Sequence, residues 1–130
     1  MSVYENMINT FDDCNVENYL NLLHEDYVFV RHQSGQKVSK ADWAPTVTGM
    51  FNAMSEGKLK LEENRCIYEN DDILVMHGIG YFPDGTKEAI MSVHSLSNGK
   101  IIALFHLYIQ KLYLINLSFF HLKTYPKDLI

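Results

Sequence analysis

The stretch Glu69–Phe105, ENDDILVMHGIGYFPDGTKEAIMSVHSLSNGKIIALF, decides the fold. Runs rich in Ile, Val, Met, Tyr and Phe alternate with short turn signals, the composition of half-buried strands. Asp84-Gly85 and Asn98-Gly99 tolerate the positive φ of a type I′ turn, whose twist suits a hairpin. Asn70-Asp71 marks a further turn if Arg65–Tyr68 is a strand. The stretch therefore predicts consecutive antiparallel strands.

Two-residue turns would also set the register, because pairing runs outward from the turn. About Asp84-Gly85, His77 would face Ser92, Val75 would face His94, and Tyr81 would face Glu88. About Asn98-Gly99, Ser92 would face Phe105 and His94 would face Ala103. About Asn70-Asp71, Asn64 would face His77 and Cys66 would face Val75. One sheet face would then carry Asn64, Cys66, His77, Tyr81, Glu88, Ser92 and His94. The other would carry Ile67, Leu74, Met76, Met91, Val93, Ile102 and Leu104, with Gly78 and Gly80. Both faces hold too much apolar surface for water, so helices are expected on one and a partner chain on the other.

Upstream, Val3, Tyr4, Met7, Ile8 and Phe11 recur at helical spacing over about residues 3–13. Asn15 can cap a short second helix with Val16, Tyr19, Leu20 and Leu23 on its apolar face. Asp26–His32 reads as a strand closed by Ser34-Gly35. Ser39 and Asp42 have capping-box spacing ahead of a third helix carrying Trp43, Val47, Met50, Phe51 and Met54. Pro45 is late for a first-turn proline, which leaves Asp42 as an alternative start. Gly57 ends that helix, and a strand through Leu59 and Leu61 leads back to the hairpins.

The chain has 130 residues, 47% of them hydrophobic and 21% charged, with net charge −5. That is one globular domain with enough chain for a core of its own. The acidic balance argues against a nucleic-acid partner. Two cysteines, Cys14 and Cys66, do not make a disulfide framework, and reduced thiols in a cytoplasmic protein are the simpler expectation. The first residues lack a basic start and a long apolar run, so no signal peptide is expected. No cofactor motif is present, and the six histidines lack metal-ligand spacing, so neither cofactor nor metal is expected.

The order helix, helix, strand, helix and four antiparallel strands resembles the nuclear-transport-factor-2-like (NTF2-like) superfamily, in particular its SnoaL-like branch. The residues carrying the resemblance are Leu22–Phe29, Arg31–Gly35, Trp43, Phe82–Thr86 and Asn98–Ile101. It covers about residues 3–106. It implies an α+β cone: three N-terminal helices packed on a curved antiparallel sheet, with a pocket at the wide end that takes a small apolar molecule. It also implies a homodimer through the outer sheet face. The superfamily includes isomerases, cyclases, dehydratases and non-catalytic binders, so two function classes stay open: proton-transfer enzyme, or ligand-binding or dimerisation module.

Against ketosteroid isomerases of that superfamily, His32, aligned on Gly35, falls where the general-base aspartate stands. The oxyanion-holding aspartate of the penultimate strand corresponds to Val93 or His94, and the first-helix tyrosine to Met7. The candidate catalytic residues are therefore His32, His77 and His94, since imidazole titrates near neutrality. Tyr19, Trp43, Asn64, Tyr81 and Ser92 are the candidate ligand-binding residues. The plainer alternatives are a surface His32 and two core histidines satisfied by Ser92 and Asn64. For Trp43 and the Met50, Phe51 and Met54 stripe the plainer alternative is core.

The domain is expected to be complete by about Gln110, with residues 111–130 as an atypical apolar tail not required for the fold. Ile101–Leu122 is long enough to cross a bilayer, but His106, Gln110, Lys111, Asn116 and His121 interrupt it, so no membrane role is expected. The readings left are a long last strand whose tail meets a partner subunit, or a loose apolar end.

Overall fold

The computed structural model describes residues 1–31 and 34–112, the side chain of His106 apart. Helix α1 (Val3–Asp12) and α2 (Val16–Asn21) precede β1 (Leu23–Val30), β2 (Lys37–Ser39) and α3 (Lys40–Ser55). Then follow β3 (Lys60–Glu69), β4 (Ile73–Tyr81), β5 (Lys87–Ser97) and β6 (Lys100–Leu112). The strands form one sheet in the order β2-β1-β6-β5-β4-β3, antiparallel except where β1 lies parallel to β6. It is a mixed α+β architecture, a curved and unclosed sheet with the helices against one face.

Each helix begins as its sequence directs. Ser2, Asn15 and Ser39 accept bonds from the backbone N–H groups three residues on, satisfying donors that have no partner within the helix. Ser39 rather than Asp42 therefore opens α3, and Pro45 lies inside it. Ala41, whose carbonyl Pro45 cannot serve, is exposed, so water can take the bond. Leu23 leaves the face of α2 and begins β1, because it pairs with Ile101 of β6. Helix α1 is held from outside as well: both oxygens of the Glu69 carboxylate accept from its first turn, at 3.0 Å from Val3 N and 3.1 Å from Tyr4 N. An anion there also meets the positive end of the helix dipole.

The turns are where the register departs from expectation. Phe82 pairs with Thr86 across a three-residue loop: Gly85 N–H donates to Phe82 O at 3.0 Å and Phe82 N–H to Thr86 O at 2.9 Å. Pro83 has no N–H, so it cannot take the paired position that a two-residue Asp-Gly turn would assign to it. It instead suits the second position of a type I turn, with Gly85 following at φ +85°. Every β4–β5 pair shifts by one: His77 faces Met91, Leu74 faces His94, Met76 faces Ser92 and Tyr81 faces Lys87.

The other two turns shift pairs as well. Asn98-Gly99 is the expected two-residue turn, but bulges in β5–β6 bring Leu104 opposite His94 and Leu107 opposite Ser92. At the first turn the two central residues are Asp71-Asp72, because Asn70 pairs with Ile73 and its side-chain oxygen accepts from Asp72 N and Ile73 N, each at 2.8 Å. Further bulges then place Arg65 opposite His77 and Cys66 opposite Met76.

A one-residue slip exchanges faces. Leu74, Met76, Ser92, His94, Leu96, Ile101 and Leu104 are buried on the helix side. The intervening Val75, His77, Ile79, Met91 and Val93 are half-buried on the outer side. The core joins that inner face to Val3 and Met7 of α1, Tyr19 of α2, Leu23 and Tyr27 of β1, and Val47 and Phe51 of α3. Strand β6 runs past Gln110, with Lys111 opposite Glu88 and Leu112 opposite Lys87. The rest of the tail, residues 113–130, lies outside the described residues.

Candidate functional site

The inner sheet face carries one polar pair in its apolar field. Ser92 and His94 stand two residues apart on β5, hence on one face, with His94 Nε2 2.9 Å from Ser92 Oγ. Both are buried, at 8% and 6% exposure, and their cross-strand neighbours are Met76, Leu74, Leu104 and Leu107. Burial pushes the His94 pKa down to about 4, so the ring is neutral at physiological pH. Among the described residues its Nδ1 has no hydrogen-bond partner.

Two strands away in the same row, Leu104 pairs with Phe29 of β1, and the indole of Trp43 packs on the Phe29 ring at 4.7 Å between centroids. Trp43 Nε1 is the other buried side-chain polar atom without a partner among the described residues. It lies near enough to the Tyr19 hydroxyl to oppose the upward pull of burial on that phenol, yet falls short of hydrogen-bonding geometry. Tyr27, at 2% exposure, has its phenol pKa raised by burial and by neighbouring Tyr19. The Tyr19 ring stacks among Phe11 and Phe51, at 6.4 and 5.4 Å. Asn64, in a β3 bulge, lays its carboxamide against Gly78, in space a β-carbon there would fill, while its Nδ2–H donates to Leu61 O at 3.1 Å.

Five of the expected site residues therefore belong to the helix-facing side: Tyr19, Trp43, Asn64, Ser92 and His94. Two do not. His77 lies on the outer face opposite Met91 and Arg65, and Tyr81 lies there with Lys87 Nζ 5.3 Å from its ring centroid. The expected grouping of His77 with His94 on one face is corrected by the three-residue Pro83–Gly85 loop. The His77 pKa is lowered, first by desolvation and then by Arg65, with Glu63 opposing. His32 lies outside the described residues. Met7, which stands where the isomerases have a tyrosine, is core at 2% exposure.

Sequence reading passed over Tyr27 and Phe29. Their signal was present: they alternate with Asp26 and Val28 along β1, and the shared face is the inner one. Among the described residues no buried side chain is a carboxylate, ammonium or guanidinium, and no three His, Cys, Asp or Glu groups form a metal-ligating cluster. The interior offers neutral hydrogen-bond groups in an apolar setting. No described helix is long and apolar enough to cross a membrane.

No family model matches the chain, and no curated protein matches it. Solved structures do. An NTF2-like protein of unknown function from Cytophaga hutchinsonii superposes with a TM-score of 0.63 at 15% identity, over 83% of this chain and 87% of that one. A putative ketosteroid isomerase from Kribbella flavida gives a TM-score of 0.65 at 15% identity, over 98% and 90%. An LEH-like epoxide hydrolase from M. tuberculosis gives a TM-score of 0.57 at 11% identity, over 83% and 80%. The fold is NTF2-like. At these identities the likeness extends to architecture alone.

Proposed function

We propose that this chain binds a small, mostly apolar molecule between the helices and the inner sheet face, in the manner its SnoaL-like resemblance implies. The observation that supports it best is the buried Ser92–His94 pair together with Trp43 Nε1 two strands along the same row: polar groups without full partners among the described residues, in an otherwise apolar interior. A buried donor left unpaired costs about 1–3 kcal/mol, and a ligand that supplies the partner recovers it. Binding is better supported than proton transfer. Efficient general bases have pKa values near the working pH, and His94, at about 4, is far below it. The proton-transfer reading rests on the same imidazole and on a fold shared with a putative ketosteroid isomerase.

Trp43 is the sole tryptophan of the chain, which makes the test direct. Its emission should change saturably as an apolar probe such as 2-ethylnaphthalene is added, and native mass spectrometry should find a small molecule carried through purification. An unchanged emission together with a bare chain mass would remove the reading.

We also propose that the chain works as a homodimer through the outer sheet face. No described element covers Val75, Ile79, Met91 and Val93, and Phe105 on β6 is 46% exposed. Sedimentation equilibrium at micromolar concentration should give twice the 15.1 kDa chain mass. A single 15 kDa species would contradict it.

A further inference from the structure

The proposed dimer leaves open what governs it, and the outer sheet face carries a group able to. His77 stands amid that face, with Val75 and Ile79 on either side of it along β4. Those neighbours pair with Val93 and Ala89 of β5, and His77 itself pairs with Met91. The imidazole is thus set in an apolar field and is half-buried in the single chain. Across on β3 it meets the exposed Arg65, a permanent cation. Glu63, in the bulge next to Arg65, acts on the ring in the opposite sense. Further charges stand off: Glu62 pairs with Ile79 one row along, and Lys60 and Lys87 flank Tyr81 two rows along. On β6 the phenol of Tyr108 lies beyond Met91, and the backbone of His106 pairs with Val93.

A second copy suits this surface in shape and in size. Two sheets of the same twist pack face to face about 10 Å apart, and two copies of one sheet share their twist. Strands β3 to β6, about 4.8 Å apart and about 30 Å long, present roughly 600 Å² even taken as flat. That is on the scale of the roughly 800 Å² per partner that a stable interface covers. The apolar centre with charges along the β3 edge also has the core and rim of an interface. In a two-fold dimer both copies use the same patch, so closure covers two His77 rings, each beside its own Arg65.

We infer that the outer-face dimer is pH-sensitive, closed while both His77 rings are neutral and loosened when they take up protons. The inference rests on the homodimer reading above and adds its control. In the single chain, desolvation and then Arg65 already lower the His77 pKa. A covering copy removes more water from the ring and lowers it further. Well above the free chain's value neither state binds the proton, and association does not depend on pH. As the pH falls through it, the free chain takes up a proton that the dimer refuses, and dissociation is favoured. Symmetry doubles the effect, because two rings must be discharged for each dimer formed.

Sedimentation equilibrium of the intact chain at about pH 7.5 and about pH 5.5, at one ionic strength, reads the dissociation constant in both states. Circular dichroism confirms that the chain stays folded at the lower pH. The constant should rise about tenfold on acidification. His77→Phe keeps a ring that cannot be charged, so its constant should change by less than about threefold over the same interval. His77→Gln, neutral and polar, should behave alike and guards against a fault peculiar to the first variant. A dimer equally tight at both pH values would overturn the inference and leave the dimer standing. An equal loss in the two variants would also overturn it, since the response would then belong to another group. A monomer at the higher pH would overturn both the inference and the homodimer reading.

Discussion

Acidification from neutral pH to about pH 4 should cost the folded chain about 3 kcal/mol through His94 alone. In the unfolded chain this histidine titrates near its ordinary 6.5, whereas burial among Leu74, Leu104 and Met76 holds it at about 4 when folded. Above 6.5 neither state binds the proton, and nothing is lost. As the pH falls below that, the unfolded chain takes up a proton that the folded chain refuses, and stability declines. Below about 4 both states are protonated and this contribution levels off. Each tenfold difference in proton affinity is worth about 1.4 kcal/mol, which gives the total. Urea unfolding at half-unit pH steps measures it, with His94→Leu as the reference. Carboxylates titrate in both proteins, so the difference between the two curves isolates His94. Parallel curves from pH 7 to 4 would show that the imidazole is not held neutral inside the sheet.

Leu74→Ala should destabilise by about 2–5 kcal/mol, because the side chain is fully buried and the surrounding core can close over the loss only in part. Val75→Ala, one residue along the same strand, should cost about 1 kcal/mol in a sample dilute enough to be monomeric, since Val75 faces outward and is half-buried. The contrast tests the sheet faces directly. Similar losses at both positions would mean that the inner and outer sides are not divided as described.

The element order was legible because hydrophobic periodicity and helix caps are local. Ser39 and Asn15 cap as their types suggest, and Asn98-Gly99 turns as expected. The faces of the central strands were harder, for a physical reason that Pro83 carries. Asp84-Gly85 is a strong two-residue signal, but a proline before it removes the donor that such a turn needs, and a longer loop wins. The sequence held that information at one residue. Bulges at Glu62/Arg65 and Val93/His94 are different, since they answer to packing across the sheet and have no comparable local marker. Of the candidate site, Tyr19, Trp43, Asn64, Ser92 and His94 are on the inner side, and His77 and Tyr81 went to the outer face with the slip. Burial of Ser92 and His94 was not readable beforehand, because it depends on which way that single residue turns β5.

The position of β6 between β1 and β5 has a consequence for synthesis. The chain emerges α1 first, yet β1 finds its long-range partner only when the last described strand arrives. Lys100 bonds to Asn21 across 79 positions, a wait of about 4–16 s at ribosomal rates of 5–20 residues per second. Meanwhile β3, β4 and β5 can pair with one another as they appear, since each follows its neighbour in sequence. A nascent chain stopped before Lys100 is thus not a smaller sheet. It is a β1–β2 hairpin and a β3–β5 meander, each with a raw edge facing where β6 belongs. During those seconds the chain is most open to pairing with the wrong neighbour, including another copy on the same message.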